Sequence, residues 1–173
     1  MALLTVVIAA GCGDDGGSGG DAEAGSEETT VTTIEAVFAR DACELLSDDQ
    51  VAEILGDGVT KEASPGDAST SQPAACTWSG PDATVDFTDP APTGLTVFLG
   101  DRQIYDNTQV LAEGDDTYEE LDGVGDEAYA GGAEGGVLVG DVGVTVTPIG
   151  TDANDPATHD LIVTLLGQLA ENV

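Results

Sequence analysis

The side chains that could do chemistry are three cysteines (Cys12, Cys43, Cys76), one histidine (His159) and 34 carboxylates, facing only Arg40, Lys61 and Arg102. Nucleophilic catalysis needs a hydroxyl or thiol beside a base. His159 sits at the start of the last apolar-periodic segment, where its ordinary reading is an exposed or half-exposed helix residue. Gly123-Val124-Gly125 lacks the preceding strand and following helix of a dinucleotide fingerprint, and Lys61 has no Gly-rich loop ahead of it. The acids Asp115-Asp116, Glu119-Glu120 and Asp126-Glu127 lack the spacing of a calcium loop. Asp152-Ala153-Asn154-Asp155 begins like one, but Pro156 takes its fifth position. The expectation is no catalytic residue, no metal ligand and no cofactor. Paired carboxylates for glycoside hydrolysis depend on a three-dimensional separation, and a sugar site would add aromatic platforms to the single Trp78.

Cys12 follows residues 2–10 (ALLTVVIAA), which are apolar and uncharged. Spanning a bilayer takes about 20 residues, whereas a leader's apolar region takes about 7–15. Ala9, Ala10 and Gly11 ahead of Cys12 resemble a bacterial lipobox, in which the Cys is diacylated and becomes the first mature residue. Ala9 stands where Leu is usual, and the basic residues that precede such a stretch would lie upstream of Met1. The other reading is a buried strand with Cys12 as an ordinary thiol. Residues 13–30 weigh against it: they hold six Gly and six acids and no large apolar side chain. Such a segment cannot bury enough surface to offset its ordering entropy. The expected organisation is a leader over 1–11, an acidic linker over 12–40 anchored through Cys12, and a globular domain over 41–173. A coil of this kind spans about 25 Å.

Cys43 and Cys76 then remain as an even pair, a disulfide candidate in an exported protein. Closing 33 residues would be worth about 3–4 kcal/mol. The alternatives are two free buried thiols or a metal site, which would want further Cys or His. Trp78, on the same strand face as Cys76, is expected to pack against the bridge.

Several elements must position these residues. Ser47 and Gln50 make a capping box for a helix that runs to Gly56, with Leu46 and Val51 as its hydrophobic staple and Val51, Ile54 and Leu55 as its apolar face. Residues 31–40 read either as strand or as helix. Residues 61–74 read as a surface loop and residues 76–78 as a strand. Gly80-Pro81-Asp82 is a turn before a strand carrying Val85 and Phe87. Residues 95–99 (LTVFL) are apolar on both faces, as a central strand would be. Residues 104–112 predict a helix with Ile104, Thr108, Leu111 and Ala112 on its face. Residues 118–129 read as extended and 131–136 as a turn. Val137–Val139 and Val142–Val146 flank Gly140-Asp141 as a hairpin. Asp155 caps the last helix, Pro156 opens it, and Leu161, Leu165 and Leu169 form one row with Ile162 and Leu166 beside it. The fold class is α+β, an antiparallel sheet with two to three helices packed on it.

The formal charge is −31. It excludes nucleic acid as a partner, because phosphate contacts need clustered Lys and Arg, and it excludes attachment to anionic headgroups. Unpaired carboxylates repel one another at low salt, so one reading is a salt-rich habitat; the other is an acidity common to exported Gly- and Asp-rich proteins.

Residues 41–47 (DACELLS), Val51 with Ile54-Leu55-Gly56, and Ala75-Cys76-Thr77-Trp78-Ser79 resemble a family of exported actinobacterial lipoproteins of unknown function. Their pattern is D-P-C-x-L-L, a short helix ending in Leu-Gly, then C-x-W. Ala42 departs from it, standing where Pro is common. Gly123–Ala128 and the helical C-terminus are also similar. The resemblance implies a tethered envelope protein with one disulfide and supplies no reaction. The expected function is a non-enzymatic binding or interaction module on the outer face of the cell membrane, taking an envelope protein or a small apolar ligand. The rival is a small-molecule sensor or substrate-delivery accessory, and a hydrolase comes third. A pocket above about 300 Å³ would favour the sensor, and a flat exposed apolar patch would favour the interaction module.

Overall fold

A computed structural model describes residues 34–81 and 91–173. The expected leader, Cys12, the first part of the linker, and the strand carrying Val85 and Phe87 lie outside the described residues.

Strands β1 (Thr60–Ser64), β2 (Ala74–Ser79), β3 (Gly94–Asp101), β4 (Glu119–Glu120), β5 (Glu127–Gly131), β6 (Glu134–Val139) and β7 (Val142–Ile149) form one sheet in the order β1-β2-β3-β7-β6-β5-β4. Every neighbouring pair is antiparallel. Helices α1 (Ile34–Phe38), α2 (Asp48–Leu55), α3 (Arg102–Ala112) and α4 (Pro156–Asn172) accompany it, with a 3-10 turn at Ala42–Glu44. The class is α+β, as the sequence predicts. Strand β3 lies inside the sheet between β2 and β7, and it pairs over its whole length with β7, the central strand, from Gly94↔Ile149 to Asp101↔Val142.

Side chains alternate between the two faces of a sheet. On one face Leu95, Val97 and Leu99 of β3 join Cys76 and Trp78 of β2 and Val144 and Val146 of β7. Against them pack Val51 and Leu55 of α2 and Ile162, Leu165, Leu166 and Leu169 of α4, all in one buried cluster. The α4 positions follow the spacing of a single helical face; Leu161 lies at its margin, half-buried. On the other face α3 places Tyr105 and Ala112 against Tyr129 and Leu138.

The helix ends follow local chemistry. The Ser47 hydroxyl accepts the Gln50 amide and the Gln50 side chain accepts the Ser47 amide, which completes the capping box. Gly56, at φ +84°, ends α2. The Asp155 carboxylate accepts the Ala157 amide at 2.9 Å, with Pro156 opening α4. The hairpin over Gly140-Asp141 joins β6 to β7. Within residues 31–40, the segment Ile34–Phe38 is helical and buries Val37 and Phe38.

Three expectations are corrected. Residues 61–74 are not all loop: Thr60–Ser64 is a strand paired residue for residue with Ser79 to Ala75. Its five side chains are all exposed, so no apolar alternation announces it, and its pairing with β2 makes it a strand. Residues 131–136 are not all turn, because Gly135 and Gly136 lie inside β6. A Cβ on Gly135 would strike Ile162 and Leu166 of α4, and one on Gly136 would meet the Tyr129 ring at 2.5 Å. These glycines mark close approach within a strand. Finally, α3 turns Tyr105 and Ala112 inward and leaves Val110 and Leu111 exposed at 66% and 75%. Gly143 leaves room for the backbone and Cβ of Tyr105 to come close to β7.

Candidate functional site

Cys43 and Cys76 are joined as a disulfide, with Cα atoms 5.0 Å apart. The Asp41 carboxylate accepts the Cys43 amide at 2.8 Å and shapes the turn that delivers this cysteine. The bridge therefore ties the segment leading into α2 to strand β2. Trp78, two residues beyond Cys76 on the same face, lies in the same buried cluster as both cysteines.

A cleft of about 320 Å³ opens beside this brace. Its walls are the first turns of α2 (Asp48, Asp49, Val51), the connection to β1 (Asp57, Gly58, Val59), Lys61 of β1 and Trp78 of β2. The capping box fixes the start of α2, and the helix dipole favours Asp48 and Asp49 there. Gly58, at φ +87°, reverses the chain so that β1 runs back along β2 with Lys61 opposite Trp78. The Lys61 ammonium meets the Asp48 carboxylate at 2.8 Å. That hydrogen bond holds the ammonium above its ordinary pKa. Asp49 and Asp57 line the same cleft as the Lys61–Asp48 pair, together with Val51, Val59 and Trp78. The arrangement suits a cationic group with an aliphatic stem. Its lining includes no hydroxyl, thiol or imidazole side chain.

A second hollow of about 250 Å³ lies at the far end of β1. Phe38, Ala39, Ala63 and Pro65 supply its apolar lining, and Arg40 and Asp41 stand at its wall as charged groups. Nothing in the local sequence announces either hollow, because the walls come from separate stretches of the chain and meet through the pairing of β1 with β2.

The other sequence candidates are placed as follows. Cys12 is outside the described residues. His159 is half-buried in the first turn of α4, its Nε2 3.7 Å from the Glu119 carboxylate. Thr117, which lines a third hollow together with His159, is committed elsewhere: its hydroxyl donates to Asp115 at 2.6 Å and accepts the Gly132 amide at 2.7 Å. The hydrogen bonds from Thr117 also hold the Asp115 carboxyl below its usual range. Asp126 accepts the Gly140 amide at 2.7 Å, and Asp152 accepts the Asn154 amide at 2.9 Å. These acids shape turns. Among the described residues no group of three His, Cys, Asp or Glu could hold a metal ion, and no helix is long and apolar enough to cross a membrane.

Comparison with known families decides what kind of chain this is. The model of a family described as a protein of unknown function, DUF3558, matches residues 7–147. The chain belongs to the DUF3558 family. The DUF3558 match begins inside the apolar N-terminal stretch and takes in all three cysteines, both walls of the cleft and β1. No curated protein and no solved structure matches the chain.

Proposed function

We propose that this DUF3558 protein is a lipid-anchored module on the extracytoplasmic face of the cell membrane, which binds a partner and catalyses no reaction. The observation that carries the reading is the pairing of Cys43 with Cys76. It uses two of the three cysteines and leaves Cys12, the one directly behind residues 2–10. Disulfides persist in oxidising compartments outside the cytosol, which agrees with an exported chain. The resemblance to exported actinobacterial lipoproteins rests on the same cysteines and on Trp78. A lipid on Cys12 with the acidic segment behind it would hold the folded unit off the membrane surface.

The carboxylates and the ammonium that line the cleft suit ion pairing with a bound group, which supports the binding reading. The rival reading, a small-molecule sensor or delivery accessory, is favoured by the size of the cleft, which falls at the low end of ligand pockets at about 300–1,000 Å³. Its carboxylate rim argues for a charged group rather than an apolar ligand.

Replacing Cys12 by Ala in the full-length chain tests the anchor. The expected outcome is transfer of the protein from the membrane fraction to the soluble fraction, with the Cys43–Cys76 bridge intact. Retention of the variant in the membrane fraction would contradict the reading.

A further inference from the structure

Resting on the reading of this protein as a binding module, we infer that β1 is a docking edge for an extended basic polypeptide segment. The segment joins the sheet beside β1 and seats alternate side chains in the two hollows that flank it.

Among the described residues β1 is one of the two outer strands of the sheet, the other being the two-residue β4. An outer strand presents unpaired N–H and C=O groups along its free side, a template for another strand. Natural edges are blunted by bulges, by proline or by projecting charges. The register of β1 with β2 is unbroken over five pairs, from Thr60↔Ser79 to Ser64↔Ala75. Pro65 stands beyond its end. The Lys61 ammonium is held by Asp48 of α2 instead of standing off the edge.

The hollows lie where such a segment could use them. Lys61 is opposite Trp78 and Ala63 is opposite Cys76, so both side chains share the helix-covered face of the sheet. Lys61 lines the acidic cleft and Ala63 lines the second hollow. Residues two apart on an added strand, about 6.6 Å, would come over one and then the other. The cleft, lined by Asp48, Asp49 and Asp57 together with Lys61, selects Lys or Arg. Phe38, Ala39 and Pro65 select an aliphatic side chain. A second copy of this chain is a poor occupant, because each copy carries −31 and like charge opposes association.

The test titrates the full-length protein in detergent micelles with ten-residue peptides in which Lys and Val alternate on one face and Thr fills the other. Emission of Trp78, the sole tryptophan, reads the cleft, and amide hydrogen exchange at residues 60–64 reads the edge. The expected result is saturable binding with slowed exchange at 60–64. A Lys-to-Glu peptide should bind at least tenfold more weakly. N-methylation of alternate amides should abolish binding in one register and spare it in the other. The double variant Asp49→Asn/Asp57→Asn should lose at least tenfold for the Lys peptide while remaining folded by circular dichroism. A Trp78 response without slowed exchange at 60–64, or equal binding by both N-methyl registers, would overturn strand addition and leave a binding module. Equal affinity for lysine amide alone would overturn it in favour of a small-amine site. Slowed exchange that follows protein concentration without peptide would overturn it in favour of a second copy. No response to any of these probes would overturn the partner class, while the membrane release of the Cys12 variant reads the anchor separately.

Discussion

Cys43 and Cys76 are covalently bonded across 33 residues, and the bond joins the segment leading into α2 to the strand that carries Trp78. One wall of the acidic cleft is thereby fixed to the other. Replacing both cysteines by Ser should lower stability by about 3–4 kcal/mol, the loop-closure term for a ring of this size. Chemical denaturation with and without reductant measures it. The Ser variant should be insensitive to reductant and the native chain should not. Equal midpoints would show that the bridge contributes nothing.

Gly135 predicts a steric effect. Its missing side chain leaves room for Ile162 and Leu166 of α4. Gly135→Val should cost about 1–3 kcal/mol through overpacking. A methyl group added at Gly167, in α4 itself, would meet nothing within 4 Å, so Gly167→Ala should stabilise by about 0.5–1 kcal/mol. Thermal melts of the two variants should move in opposite directions.

Tyr105 and Tyr129 stack edge to face with ring centroids 5.4 Å apart, and the Tyr105 hydroxyl is buried without a hydrogen-bond partner. Burial is the main cause that pushes both phenols well above their ordinary pKa. Above pH about 10 an unfolded tyrosine releases its proton while these two keep theirs. The unfolded state then binds fewer protons, so stability falls as pH rises beyond that point. Below it the contribution is whole. Tyrosinate absorbance from these two rings should emerge together with loss of the circular dichroism signal. Titration of all three tyrosines in a folded chain would contradict this.

How much of this is legible in the sequence depends on the range of the interaction. Ser47 with Gln50, Gly140-Asp141, and Asp155-Pro156 act within one turn, and each marks its element in the chain itself. Cys43, Cys76 and Trp78 are readable as a pair and its neighbour. The β1 edge is not, because Thr-Lys-Glu-Ala-Ser has no apolar alternation and is a strand only through β2. Gly135 and Gly136 read as a turn because their reason, the approach of α4 and of the Tyr129 ring, comes from distant sequence. The inward face of α3 is hidden for a related cause: Leu111 is apolar, but the sheet beneath α3 accommodates Tyr105. The cleft is invisible because Asp48, Asp57 and Lys61 converge only once β1 turns back beside α2.

The charge of −31 predicts a dependence on salt. Among the described residues the close ion pairs are few and exposed, such as Lys61–Asp48 and Arg102–Glu127, so most carboxylates repel one another. Raising NaCl from about 0.05 M to about 2 M shortens the screening length to a few ångströms and should raise the melting temperature. A flat or falling curve would remove the link between the acidity and a saline habitat.

The most direct measurement is mass spectrometry of the N-terminus of the protein isolated from its own membranes. The account predicts a chain that begins at Cys12, carries acyl groups on that residue and holds Cys43 and Cys76 oxidised to each other. A chain that retains Met1, or one with an unmodified Cys12, would contradict it.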